Sequence, residues 1–272
     1  MTIRTRRRIP VTAENAPPRL RLSTNRKTCT SAHYRPASDK WEPVPNAFGV
    51  SRESCEPHKT PFCESCYAAR IEKVYRGVRD LVGENYAAVM AYRNKPEELA
   101  EMFAALLDTS AAAQRLAGVT APTFRWQWDG ELCHQTHAQA ISRAHAKRPH
   151  VTGWVYTRAH SWAHAFRLAD TGEPPANLAV FLSVDRDNLA SARRAVARWP
   201  WLRLAFSGDS WEETTALAGA MEQPRGLKCP ELAGRVPLVD PVTTEGACTA
   251  CTHCHPTGAG NVRFSTGKVA PR

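Results

Sequence analysis

From Thr123 onward the chain alternates short apolar runs with segments of helical period. Residues 124–128, 151–157, 178–184 and 202–207 read as strands, and the segments after them read as helices ending near Lys147, Leu168, Trp199 and Met221. Near-continuous apolar strands separated by helical crossovers point to a parallel sheet covered by helices. Asp187 and Ser210 stand where N-caps belong, and Ser210 with Glu213 has the spacing of a capping box. Upstream, the apolar stretch 47–51 predicts a first strand that runs into a cysteine-bearing loop. After that loop Tyr67, Ile71, Val74 and Tyr75, then Leu81, Val82, Tyr86, Val89 and Met90, recur at helical spacing. Asn94 and Pro96 mark the start of another helix reaching about Leu116. The predicted fold is α/β, a partial (βα) barrel of about five to six parallel strands over residues 47–224. Before it lies a basic, Pro-containing, largely irregular arm, 1–46, with one strand around 20–23. After it lies a cysteine-rich extension, 225–272, where Pro, Gly and Cys replace the βα pattern.

Composition narrows the class. A chain of 272 residues with 43% apolar content can build its own core. No run approaches the roughly 18 apolar residues of a membrane span. Arg4, Arg6, Arg7 and Arg8 would suit the start of a signal peptide, but Pro10, Glu14, Pro17 and Pro18 stand where its apolar region should lie, so secretion is not expected. Nine cysteines, odd in number and clustered, fit free thiols in a reducing, cytoplasmic setting better than a disulfide scaffold. The net charge of +10 is concentrated at the front: residues 1–28 carry eight Lys or Arg against Glu14 alone. Such an arm is either a solvated tail or a tracker of phosphate backbones, with Arg4, Arg6, Arg7 and Arg8 as the contacts.

Seven cysteines form two groups, Cys55, Cys63 and Cys66, and Cys229, Cys248, Cys251 and Cys254. Each contains the C-x-x-C spacing that lets one ion or cluster be held from a single turn of chain, so the choice lies between zinc and iron–sulfur chemistry. The first group offers three thiolates. On a [4Fe–4S] cluster that leaves one iron open to a small molecule, whereas His33 or His58 as a fourth ligand would make a structural zinc site. The second group offers four and reads as a closed site, a second cluster or a zinc knot. Cys29 and Cys133 are left over and read as small buried hydrophobes. Ligand sites of parallel α/β folds lie at the carboxyl ends of the strands, and these ends are polar here: Asp129, Gly130 and Glu131; Arg158; Ser183 and Asp185; Ser207, Asp209 and Ser210. Exposed loops of any α/β protein share that polarity; what adds weight is the thiol loop expected on the same rim.

A thiolate loop after the first strand, Gly130-Glu131 at the end of the next, and further βα units with polar ends resemble the radical S-adenosylmethionine enzymes. The strings CESCYAAR, FRWQWDGEL and ACTACTHC resemble more closely a family of phage- and plasmid-encoded proteins of unestablished activity, sometimes labelled rolling-circle replication proteins. The superfamily resemblance implies that Cys55, Cys63 and Cys66 hold a [4Fe–4S] cluster whose open iron chelates S-adenosylmethionine. It further implies that Gly130 and Glu131 meet the amino group of that cofactor, that Ser183, Asp185, Ser207 and Asp209 contact ribose or substrate, and that an electron donor serves the cluster. A nucleic acid or nucleotide is the implied substrate class. Seven residues rather than three separate the first two cysteines, and Ser65 rather than an aromatic precedes the third.

Competing readings have residue-level tests. Nicking enzymes need a His-hydrophobic-His metal pair and a tyrosine nucleophile, yet the lone His-x-His, His253 to His255, has Cys254 at its centre. His160 and His164 share one helical face at i, i+4, but Ser161 stands where a metalloprotease carries its glutamate. His134 and His137 have ligand spacing but read as helix-surface histidines. Trp126, Trp154, Trp199, Trp201 and Trp211 read as core, while Trp128 at a strand end is placed to stack on a base. The main alternative is a zinc-stapled, nucleic-acid-binding protein without catalytic activity.

Overall fold

The computed structural model describes residues 19–28 and 32–267. Arg4, Arg6, Arg7, Arg8 and Cys29 lie outside the described residues. Chain order is β1 (Ala32–Arg35), β2 (Lys40–Pro43), β3 (Ala47–Phe48), α1 (Tyr67–Val74), α2 (Arg76–Ala91), α3 (Pro96–Leu116), β4 (Thr123–Trp126), α4 (Gln135–Ala146), β5 (Thr152–Thr157), β6 (Leu178–Val184), α5 (Leu189–Arg198), β7 (Arg203–Gly208), α6 (Trp211–Ala220), β8 (Leu227–Lys228), α7 (Ala247–Cys251) and β9 (Val262–Ser265). β1 and β2 form an antiparallel hairpin inside the segment expected to be irregular, and the strand expected around 20–23 is a single bridge from Ser23 to Ala47.

The main sheet has seven strands in the order β3-β4-β5-β6-β7-β9-β8, all parallel. That is one strand more than the larger of the expected counts, because β8 and β9 come from the cysteine-rich extension. β3 and β8 are the edges of this sheet, and no described pairing joins them. Alternation along each strand divides the core. Phe124, Trp126, Val155, Val180, Leu182, Leu204 and Phe206 face α3, α4, α5 and α6, whereas Trp154, Phe181, Ala205 and Val262 face the cysteines of the extension. Strands laid down in sequential order with right-handed crossovers put their helices on one face, which leaves the other for the C-terminal segment.

Local chemistry explains the boundaries. Pro96 occupies the first turn of α3 and needs no backbone donor there. Ser210 accepts from the Glu213 N–H (3.1 Å), and the Glu213 carboxylate returns to the Asp209 N–H (2.6 Å), so the capping box forms one residue wider than expected. Asp187 is not the cap of α5: Asn188 holds that position without a side-chain cap bond, and the Asp187 N–H is turned back to the Asp185 carboxylate (2.9 Å). The helix expected after β5 is a 3-10 helix, His160–Phe166. With three residues per turn, His160 and His164 no longer share a face, and the metal-pair reading fails. No helix among the described residues is long and apolar enough to cross a membrane.

Candidate functional site

The thiol loop leaves β3 and crosses the carboxyl ends of β4, β5 and β6. Two short 3-10 helices, Arg52–His58 and Pro61–Ser65, carry Cys55 and Cys63, and Cys66 links the second of them to α1. Ser54 ties the loop to itself and to the next strand end: its hydroxyl donates to the Ser51 carbonyl (2.7 Å) and accepts from the Glu131 N–H (2.7 Å). Gly130 sits where these segments touch. Its φ of +71° suits glycine, and a β-carbon there would stand 2.3 Å from the Val50 carbonyl oxygen. Gln127, just after β4, is also left-handed at φ +50°, which ends β4 two residues earlier than expected.

Glu131 is buried and committed to the chain. Its carboxylate accepts from the Thr157 hydroxyl (2.6 Å) and from the N–H groups of Leu132 (2.7 Å) and Arg158 (2.6 Å). Burial raises its pKa above the usual carboxylate range, and these donors work against that rise. Asp185 is equally occupied. Its carboxylate pairs with Arg158 and accepts from Thr60 of the thiol loop (3.3 Å). The Arg158 guanidinium also lies 5.3 Å from the Phe62 ring, and His58 packs edge-on to Trp162 at 4.5 Å. Residues 58, 60 and 62 of the loop are thereby docked on the rim, with Cys63 next to the last of them.

The three thiols of the first group share one electrostatic neighbourhood. Burial pushes the Cys55 thiol up to about 12, with further contributions from the charges of Glu131, Cys66, Cys63 and Asp129. Cys133, set aside in the sequence, belongs to this neighbourhood: burial, then Glu131 and Cys55, raise its thiol as well. Asp129 is also buried, no donor reaches either of its oxygens in hydrogen-bonding geometry, and burial with the Glu72 charge pushes it up to about 7. Trp128 does not stack on a ligand. It is buried against α2, its indole N–H donates to Ser23 (2.5 Å), and its carbonyl accepts from Tyr67.

The other strand-end residues are spread along the rim. Ser183 and Ser207 are half-buried on β6 and β7, on the face of Phe181 and Ala205. The Ser183 carbonyl accepts from His160 (3.0 Å) and Asn188 (3.0 Å). Asp209 is exposed at the β7–β9 side, bonded to Arg186 (3.3 Å) and Thr266 (3.2 Å), away from the thiol loop.

The second thiol group lies on the sheet face opposite α3 to α6, with Cys248 and Cys251 on the short α7. Cys229, Cys248 and Cys254 pack with Tyr156 and Phe264 against Trp154, Phe181 and Val262. Burial pushes Cys248 up to about 11 and Cys254 up to about 12; Cys229 and Cys251 contribute to the former, Cys248 and Cys229 to the latter. Arg203 holds the loop by donating to the carbonyls of His253 (2.8 Å), His255 (2.9 Å) and Gly260 (2.7 Å). His253 bonds the Asn261 carbonyl (3.0 Å) while His255 lies against Trp154 (4.7 Å), so these two histidines do not form the metal pair of a nicking enzyme.

All described cysteines are free thiols. Both groups fit the soft-donor chemistry of zinc or an iron–sulfur cluster, and neutral buried thiols of this kind release protons when metal binds. As folded, no three His, Cys, Asp or Glu side chains among the described residues converge to hold a metal ion.

The family model described as Gene product 88 matches residues 19–257, a span containing both thiol groups and beginning after Arg8. The Gene 88 protein of Mycobacterium phage L5 is 29% identical over 260 residues, covering 92% of this chain and 99% of the relative. The Gene 88 protein of Mycobacterium phage D29 is 28% identical over 259 residues, covering 92% and 98%. No solved structure matches the chain.

Proposed function

This chain belongs to the Gene product 88 family, and from that premise we propose that it is an iron–sulfur protein resembling the radical S-adenosylmethionine enzymes. Cys55, Cys63 and Cys66 would hold a [4Fe–4S] cluster with one open iron, and Cys229, Cys248, Cys251 and Cys254 would hold a second. The observation that carries this reading is the shared environment of the first three thiols with Glu131 at the carboxyl ends of a parallel sheet. When bound, such a cluster supplies one electron for reductive cleavage of a sulfonium. The chain's own contribution is positional. Arg158 and Asp185 dock the loop, Glu131 ties the exits of β4 and β5 together, and Gly130 lets the two segments meet. Since Glu131 and Asp185 are bound internally, Ser183 and Ser207 are the better candidates for ligand contacts on this rim. A nucleic acid or nucleotide substrate and an external electron donor complete the proposal.

Anaerobic purification with metal analysis tests it. Brown, oxygen-sensitive protein with about eight irons and eight sulfides per chain is expected. Cys63→Ala should remove about half of that iron and leave the second group loaded. Colourless protein with about two zinc ions would overturn the proposal and favour the zinc-stapled reading.

A further inference from the structure

Away from the thiols, the 3-10 helix His160–Phe166 and α5 enclose a cavity of about 370 Å³ lined by Arg167, Arg194 and Arg198 with Ser161, Ser191 and Trp199. No carboxylate lines it, and none of these three arginines forms an ion pair among the described residues. Some other arginines are paired, Arg143 with Glu97, Arg148 with Asp108, and Arg186 with Asp209 and Glu213, whereas Arg167, Arg194 and Arg198 sit together without a carboxylate. Arg194 and Arg198 are four residues apart on one helical face, a like-charge spacing that destabilises a helix unless something neutralises it.

Arg167 and Arg198 are also held in place. The Arg167 guanidinium lies 4.0 Å from the centre of the Trp199 ring and that of Arg198 lies 5.1 Å from it, so the charges are within about 9 Å of each other, the sum of those distances. Arg167 is further fixed by donating to the His164 carbonyl (3.0 Å). On the cavity floor, His160 Nδ1 lies 2.8 Å from the Ser191 hydroxyl, while Nε2 donates to the Ser183 carbonyl (3.0 Å). Preset guanidinium forks beside hydroxyls, without a counter-charge, have the chemistry of a phosphate site.

We propose that this cavity binds the phosphate backbone of a single-stranded nucleic acid. The cavity volume is ample for phosphate groups. Trp199 is already covered by guanidiniums, which leaves it no free role as a base platform, so recognition here is of phosphate and independent of sequence. The location suits a strand delivered to the rim, because Trp162 of the same 3-10 helix packs against His58 of the thiol loop. No metal enters this argument, so it stands or fails separately from the iron–sulfur reading.

The test is fluorescence anisotropy of a labelled single strand on the full chain across a salt series. Replacing Arg167, Arg194 and Arg198 together by Gln should lower the log–log salt slope by about 2 and weaken binding roughly 100-fold at 0.1 M salt. The corresponding triple Lys variant should keep the slope, and Arg148→Gln, at a paired arginine, should change neither quantity. Circular dichroism melts of all variants report folding. The proposal is overturned by absence of strand binding in the parent chain, by an unchanged slope in the Gln variant, or by an equal loss in Arg148→Gln. It is also overturned if inorganic phosphate or a nucleoside diphosphate displaces the strand at equal phosphate concentration, which would identify a small-molecule site instead.

Discussion

Removing the Arg158 side chain should both destabilise the fold and release the thiol loop. The Asp185 side chain is 0% exposed and its ion-pair partner Arg158 only 17%, so Arg158→Met strands a buried carboxylate. Deleting one member of a buried pair costs about 3–5 kcal/mol. Asp185 keeps donors from Thr60 (3.3 Å), the Asp187 N–H (2.9 Å) and Asn188 (3.4 Å), which places the expected cost near the lower bound, about 3 kcal/mol. Adding Asp185→Asn in the Arg158→Met background removes the uncompensated charge and should recover about 1–2 kcal/mol of that loss. Urea unfolding followed by circular dichroism measures both numbers. On the metal-free protein, Cys63 should react faster with a thiol reagent, because the guanidinium beside Phe62 is lost and Thr60 loses a bond to Arg158 (3.5 Å). The reasoning is refuted if Arg158→Met lies within about 0.5 kcal/mol of the parent, or if the double variant is no more stable than the single.

Two further outcomes concern the opposite side of the sheet. His145 accepts from the Trp126 indole (2.8 Å), bonds the Val151 carbonyl (3.2 Å), and is driven down to about 3 by burial, so it folds neutral. A depressed histidine contributes stability that is present above its unfolded value near 6.5 and lost as pH falls toward 3. The stability gap between the parent and His145→Gln should therefore shrink by about 2 kcal/mol from pH 7 to pH 5, and a constant gap in urea titrations at the two pH values would contradict this. Gly153→Ala would place a β-carbon 2.3 Å from His145 Cε1 and 2.4 Å from Nε2. The buried ring has little room to yield, so a loss of about 3 kcal/mol is expected, read as a Tm drop of roughly 6–12 °C, with relief in a His145→Ala background.

Why some features were legible and others not follows from the range of the interactions that fix them. The strand at 178–184 is legible with its observed bounds because Leu178–Val184 is apolar except for Ser183 and is buried at every position but that one. The alternation of strands and helices, the cap at Ser210 and the placement of the first thiol loop on the strand-end rim are local in origin, and they survive. β8 and β9 were missed because Leu227–Lys228 becomes a strand only by pairing with Val262 and Arg263, some 35 residues later. The 3-10 helix after β5 looked α-helical from composition, but Ala159 supplies no side-chain cap. Within the site, Glu131 and Asp185 were polar strand-end residues in the sequence, as expected, yet whether their carboxylates face a ligand or the chain depends on Thr157, Arg158 and Thr60, which only tertiary structure brings near. The same holds for Cys133, whose approach to Cys55 leaves no trace in spacing.

The one-sided layering has a consequence that joins the two thiol groups. On β4 the alternation sends Phe124 and Trp126 toward the helices and Arg125 to the other face. There its guanidinium is 5.6 Å from the Tyr156 ring, and its Nε is buried without a hydrogen-bond partner. Burial disfavours that charge, whereas the neighbouring Tyr67, Cys248, Tyr156 and Cys254 favour it, and the net direction is upward. Tyr67 immediately follows Cys66, so one buried cation adjoins the start of α1 on one side and the second thiol group on the other. The Arg125 charge already opposes the rise in the Cys248 thiol. Any chemistry that turns the buried thiols of the extension into thiolates therefore finds a counter-charge built into the sheet, and an apolar residue at position 125 would leave Lys27 and Arg203 as the remaining cations beside them.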